Sequence, residues 1–206
     1  PFKVFTPFWR HCVSMGPVAN VVPAPVSIKG PESWPDSQPL ESWSFLPRIP
    51  WDAAFAKEWT SSPSGAQAEL KAFLPKRMRE YKDDRDRPDL RGTSRMSPFL
   101  HFGQISPREI WAMVSDHAQR EWGPDGESLA SPFLRQLIWR EFAHHLLFHF
   151  PYTSEEPLKP EFSRFPWKSD AGLLRIWQRG ETGYPIVDAG MRELWTTGWM
   201  HNRVRM

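Results

Sequence analysis

The chain has a single cysteine in 206 residues and no apolar run approaching the roughly 20 residues that cross a bilayer. Cys12 alone excludes an internal disulfide and suits a cytoplasmic setting. The opening residues, PFKVFTPFWR, lack the basic region, apolar core and small-residue cleavage site of a signal peptide. No strand alternation is convincing after residue 50 and no internal repeat is visible, which argues against a sheet protein and a solenoid. Neither Gly-x-x-x-x-Gly-Lys nor Gly-x-Gly-x-x-Gly occurs, so any phosphate is bound by some other device. No Ser/His/Asp set, Cys/His set or carboxylate pair stands out, which argues against hydrolysis by a side-chain nucleophile. A net charge of +2 implies no polyanionic partner by itself.

What is abundant is tryptophan, with 12, and proline, with 22. Ten of those prolines lie in residues 1–50, where they bar interior helices by removing donors and crowding the preceding turn. Residues 11–50 therefore read as an extended interdomain linker laid over a neighbouring surface by Trp34, Trp43 and Phe45. Residues 1–10, aromatic and abrupt, read as the end of a preceding domain, and residues 51–206 as the body.

That body has helical punctuation. The pattern from Ser64 as cap runs to about Arg85, with a kink or break at Pro75. Ser106-Pro107-Arg108-Glu109 is a capping box that opens a helix to about Arg120. Ser131-Pro132 looks like a second start of the same kind. The segment it opens, FLRQLIWREFAHHLLFHF, is apolar nearly all round, stops at Pro151 and belongs in the centre of a domain. Asp170 caps a helix that ends at Gly180, and a further one starts after Pro185. The expected fold is all-α.

Three stretches carry chemistry. Residues 76–95 hold eight Lys/Arg against five Asp/Glu around Tyr81, which is a solvated helix face or an anion site. The run Gly92-Thr93-Ser94-Arg95-Met96-Ser97-Pro98 favours the second reading, because small hydroxyl residues and free N–H groups ahead of a helix cradle phosphate. Gln136, Trp139 and Arg140 offer an amide, an indole and a guanidinium that could read, stack on and hold a base, although Arg140-Glu141 is equally readable as a buried ion pair. His145 and His149 have metal-ligand spacing, but no Glu stands between them as in H-E-x-x-H, so with His144 they read as core and no metal is expected.

The third stretch, TGYPIVDAGMRELWTTGWMHNRVRM (Thr182–Met206), ends on Asn202, Arg205 and Met206 at helical spacing, beyond Trp199. Thioether, amide, guanidinium and indole suit a planar heteroaromatic ligand, and the chain is expected to end inside a working site. Stacking and phosphate groups without a nucleophile point to a cofactor that does the chemistry.

GTSRMSPFLHFGQISPREIW, LIWREFAHHLLFHFP and TGYPIVDAGMRELWTTGWMHNRVRM resemble the flavin-binding helical domain of the DNA photolyase/cryptochrome family, and VFTPFWR resembles the end of its antenna-binding domain. The resemblance covers essentially the whole chain, truncated at both ends relative to the family. It implies FAD as cofactor, a folate or deazaflavin antenna pigment in the full-length parent, and light-driven splitting of pyrimidine dimers in DNA. Carried over, Tyr81, Thr93, Ser94, Arg95, Met96 and Ser97 would hold the FAD phosphates and ribitol, and Arg140, Trp199, Asn202 and Arg205 would line the flavin. Trp139 would stack on the flipped dimer beside Gln136, and Met206 would touch it. Arg85 and Arg203 would bind backbone phosphates, and Trp167 would be the outermost tryptophan of an electron chain.

Besides the truncation, one departure and one agreement bear on the branch of the family that the chain resembles. Dimer-repairing members usually carry Glu at this position, whereas this chain has Gln136, as (6-4) repair enzymes and photoreceptors also have glutamine there. Asn202 and Met206 stand where the (6-4) enzymes place histidines, which favours the cyclobutane class. The alternatives are a cryptochrome-like photoreceptor and a flavin-free helical DNA-binding module. Helices of the family beyond residue 206 are expected from another chain, since they would cover the central helix.

Overall fold

Asp170 begins a helix because its carboxylate accepts from the N–H groups of Gly172 and Leu173 at 2.8 and 2.9 Å, and Gly180 ends it with φ at 65°. Such local punctuation sets most of the fold. The computed structural model describes residues 1–16 and 21–205. Met206 lies outside the described residues. The helices are α1 (Phe5–Ser14), α2 (Phe55–Glu58), α3 (Pro63–Arg77), α4 (Tyr81–Asp84), α5 (Ser97–His101), α6 (Pro107–Trp122), α7 (Gly126–His149), α8 (Ala171–Arg179), α9 (Pro185–Thr197) and α10 (Asn202–Arg205). No strand occurs among the described residues, and the fold is all-α.

Several boundaries differ from the sequence reading. Ser62, not Ser64, caps α3, accepting from the Gly65 N–H at 3.0 Å. That helix stops at Arg77, and Tyr81 opens a separate short helix. Ser106 caps α6 through the Glu109 N–H at 3.0 Å, but the Glu109 carboxylate accepts from Gln67 of α3 instead of closing the box. Ser131-Pro132 is not a start: α7 begins at Gly126 and runs through Pro132.

The main core joins α3, α4, α6 and the first half of α7. Leu70, Phe73, Met78, Ile110 and Val114 are fully enclosed against Phe133, Leu134 and Leu137. The expected central place of α7 holds for that half. In the second half, Phe142 meets Phe5 and Phe8 of α1, whereas Leu147 and Phe148 are exposed. Residue 10, where the sequence suggested a domain end, lies inside α1. Trp34, Trp43 and Phe45, expected as anchors of residues 11–50, are exposed, and the described part of that stretch contains the end of α1 and one short 3-10 turn, Leu40–Trp43.

Candidate functional site

Every fourth residue of α7 faces one cleft. Gln136, Arg140 and His144 line it from that helix, opposite Tyr81 of α4 and Ser94, Met96 and Ser97 of the 92–97 loop, around a volume of about 480 Å³. Burial pushes the Tyr81 phenol up from its ordinary range, so it stays neutral and keeps its proton for donation. The Ser94 hydroxyl is buried and accepts from the Met96 N–H at 3.4 Å, while the Thr93 carbonyl accepts from Arg77 at 3.2 Å. Gly92 makes the turn possible, since a Cβ there would stand 2.6 Å from the Asp84 carbonyl oxygen. Gln136 donates to the Pro132 carbonyl at 3.1 Å. Arg140 pairs with Glu141 at 3.0 Å, but Arg140 is half-buried and Glu141 exposed, so the pair is not the buried one that the sequence allowed.

The loop continues into Arg95, whose φ of 55° lies in the left-handed region. Its guanidinium sits 4.5 Å over the Trp199 ring and pairs with Glu58 and Glu193. Trp199 itself precedes α10 instead of sharing its helical face, and Asn202 is the first residue of that helix. Arg205 donates to the Met200 carbonyl at 3.1 Å and lines a second cleft of about 410 Å³ with Trp177, Met191, Met200 and Val204.

Arg85 and Arg203, each expected to bind a backbone phosphate, meet on a residue that the sequence reading had not singled out. Asp86 accepts from Arg203 Nε at 2.8 Å and from Arg85 Nε at 3.4 Å. The Arg203 hydrogen bond and the two positive charges hold the Asp86 carboxyl below its ordinary range. Arg85 also lies 5.7 Å from the centre of the Tyr81 ring, which sets this basic cluster next to the cleft.

His201 was also missed as a site residue. It is 2 % exposed, its Nδ1 accepts from the Arg203 N–H at 3.1 Å, and its Nε2 has no hydrogen-bond partner among the described residues. A buried orphan of that kind carries a desolvation cost unless a bound group meets it. Asp188 is the third omission. It accepts from the Thr182 N–H, the Thr182 hydroxyl and the Gly183 N–H at 2.7, 2.6 and 3.0 Å, which fixes the Thr-Gly-Tyr-Pro turn ahead of α9. The spacing Thr-x-x-x-x-x-Asp across a turn before a helix was the available clue.

Trp139 lies outside both clefts. It is 44 % exposed, and the Phe5 ring stacks flat on it at 3.5 Å and 6°. Trp167 stands far out, 82 % exposed, with Phe165 beside it at 4.6 Å. His145 accepts from the Phe2 N–H at 2.9 Å, and no group of His, Cys, Asp or Glu among the described residues could hold a metal. No helix is long and apolar enough to cross a membrane.

The first cleft offers a phenol, hydroxyls, an amide and a guanidinium, and the second a guanidinium beside an indole. That donor set fits a ligand with phosphates and flat rings. Residues 133–206 match the family model described as the FAD binding domain of DNA photolyase. Over 207 residues the chain is 40 % identical to a deoxyribodipyrimidine photo-lyase of Agrobacterium fabrum, aligning in full with 42 % of that protein. It is 34 % identical to cryptochrome-2 of Arabidopsis thaliana, over all of this chain and 35 % of the relative. Its structure is similar to a bacterial class III photolyase from Agrobacterium tumefaciens, with a TM-score of 0.88 at 41 % identity over the whole chain and 42 % of that protein. A Synechocystis cryptochrome is similar at a TM-score of 0.66 and 29 % identity, over 82 % of this chain and 34 % of that one. The chain thus spans 42 % of the length of the first of these relatives and 35 % of the second.

Proposed function

The chain belongs to the DNA photolyase/cryptochrome family, and we propose that it forms the FAD- and lesion-facing part of an enzyme that uses light to split cyclobutane pyrimidine dimers in DNA. The observation that carries this reading is the convergence of Tyr81, Ser94, Met96, Ser97, Gln136 and Arg140 on one cleft, with Arg85 and Arg203 paired beside it. FAD, when bound, supplies the light-driven electron donor. Tyr81 and the hydroxyls and backbone N–H groups of the Thr93–Ser97 loop would hold its phosphates and ribitol, while Arg140, Trp199, Asn202 and Arg205 would line its rings. Arg85 and Arg203 grip the DNA backbone, and Trp139, Gln136 and Met206 receive the lesion. Flipping the damaged pair out costs a few kcal/mol, and least where stacking is already poor. The exposure of Trp167 suits an outer member of a relay of aromatic rings.

The same reading divides the chain into the end of an antenna-binding domain (1–10), a linker (11–50) and part of the helical FAD-binding domain (51–206), with the antenna pigment belonging to the parent protein. It places the protein in the cytoplasm, and it takes further helices from another chain to cover Leu147 and Phe148.

A cryptochrome-like photoreceptor is the second reading. It is favoured by the Phe5 ring on Trp139, which takes a face that a lesion base would need. The deciding experiment has two parts. Purified chain should show flavin bands in the visible spectrum, and illumination should remove thymine dimers from an irradiated oligonucleotide. Flavin bands without repair would leave the photoreceptor, and no flavin bands would sink both readings in favour of a flavin-free module.

A further inference from the structure

Arg95 is tied on every side. Nη1 is 3.2 Å from Glu58 at the end of α2, and Nη2 is 3.4 Å from Glu193 in α9. The guanidinium plane lies 4.5 Å over Trp199 and 5.8 Å from the Trp59 ring, and the side chain is 11 % exposed. Trp59 in turn donates its indole N–H to the Thr197 carbonyl at 2.7 Å, pinning the end of α2 to the end of α9. With Nη1 and Nη2 each on a carboxylate and its plane on indoles, the guanidinium already has its charge matched within the chain and its orientation fixed without a phosphate.

We propose that the Arg95 side chain is a positioning clamp and not a ligand contact. It fixes the 92–97 loop to Glu58, Glu193 and Trp199, so that the loop's N–H groups and the Trp199 ring present one surface. Two features of the residue support this. The left-handed backbone at Arg95 is costly for a residue with a Cβ and persists only where the surroundings hold it, which the four side-chain contacts do. The arrangement also favours arginine, because its planar fork can lie flat on a ring while its two ends reach separate carboxylates, which a compact ammonium does not match.

The consequence for cofactor binding rests on the FAD reading above, so the test separates the two. In the ligand-free chain, a double-mutant cycle of Arg95→Gln and Glu193→Gln on thermal unfolding should show clear coupling, and its absence would overturn the clamp. In FAD titrations followed by the visible flavin band, Arg95→Gln should weaken binding about tenfold and blur the fine structure of the band, with Arg95→Lys restoring little of either. Should Arg95→Gln not fold, Glu193→Gln keeps the stack on Trp199 and should still weaken FAD binding about threefold. Unchanged affinity and band shape in these variants would also overturn the clamp. Coupling in a chain that takes up no FAD would defeat the cofactor reading and leave the clamp in place.

Discussion

Arg203 reaches back 117 residues to set both Nε and Nη2 at 2.8 Å from one carboxylate oxygen of Asp86. The Arg203 and Asp86 side chains are 45 and 47 % exposed and that of Arg85 is 27 %, so a phosphate can approach the guanidinium groups from solvent. Asp86 also cancels one of the two positive charges, which restrains binding to any stretch of DNA. Asp86→Asn should therefore raise affinity for undamaged duplex a few-fold and narrow the preference for damaged DNA. Arg203→Gln should weaken binding to all DNA and lower the slope of log affinity against log salt by about one. An unaltered slope in a salt titration would show that Arg203 meets no phosphate.

The turn before α9 should fail in acid. Hydrogen bonds from Thr182 and Gly183 hold the Asp188 carboxyl below its ordinary range. A carboxyl depressed in the folded state stabilises it fully above the unfolded value, about 3.9, and loses that contribution as pH falls through the folded value. Thermal unfolding of the native chain should therefore drop below pH 4 by more than that of Asp188→Asn, which starts lower because its amide group opposes an N–H donor. Equal acid sensitivity in the two proteins would place the titrating group elsewhere.

Trp139 and Phe5 compete with any incoming base. Their rings lie face to face at 3.5 Å, and Phe5 is also buried against Phe8 and Phe142, so Phe5→Ala should uncover the indole at a cost of about 3–5 kcal/mol in stability. If a lesion stacks on Trp139, Phe5→Ala should bind damaged oligonucleotide more tightly, and Trp139→Ala more weakly by about 1–3 kcal/mol. Titration with a fluorescent dimer-containing strand distinguishes the cases, and two unchanged affinities would remove Trp139 from the lesion site.

Local features were readable from the chain because their causes are local. Ser106 before Pro107, Asp170 before α8 and Gly180 after it each act within a turn of the helix they punctuate. Ser131-Pro132 misled for the same reason: proline is acceptable at a helix start, and nothing within four residues tells that position from one a second turn in. Only the packing of Ala130 and Phe133 on α3 and α6 extends α7 back to Gly126. The candidate site was legible as residue types but not as partnerships. Asp86 looked like one charge among many until Arg203 met it, and Arg95 read as a ligand contact until Glu193, 98 residues on, was beside it. The bareness of Leu147 and Phe148 had no sequence signature either, since an apolar residue looks the same covered or exposed.

Gly190 tests how tightly the end of the chain is seated on α9. A Cβ on Gly190 would collide with Val204 Cγ1 and lie 3.6 Å from Met200, so only a hydrogen lets α10 approach. The collision is with a short branched side chain that has few rotamers to move into. Gly190→Ala should therefore cost about 1–3 kcal/mol by overpacking, despite the better helix propensity of alanine, which contributes only about 1 kcal/mol the other way. Because Val204 lies between Arg203 and Arg205, displacement of α10 should also loosen the Arg203–Asp86 pair and weaken DNA binding. Val204→Ala on the Gly190→Ala background should restore both, since it removes the methyl groups that the new Cβ meets. A stable Gly190→Ala protein with unaltered DNA affinity would mean that α10 sits further from α9 than the packing of Val204 requires.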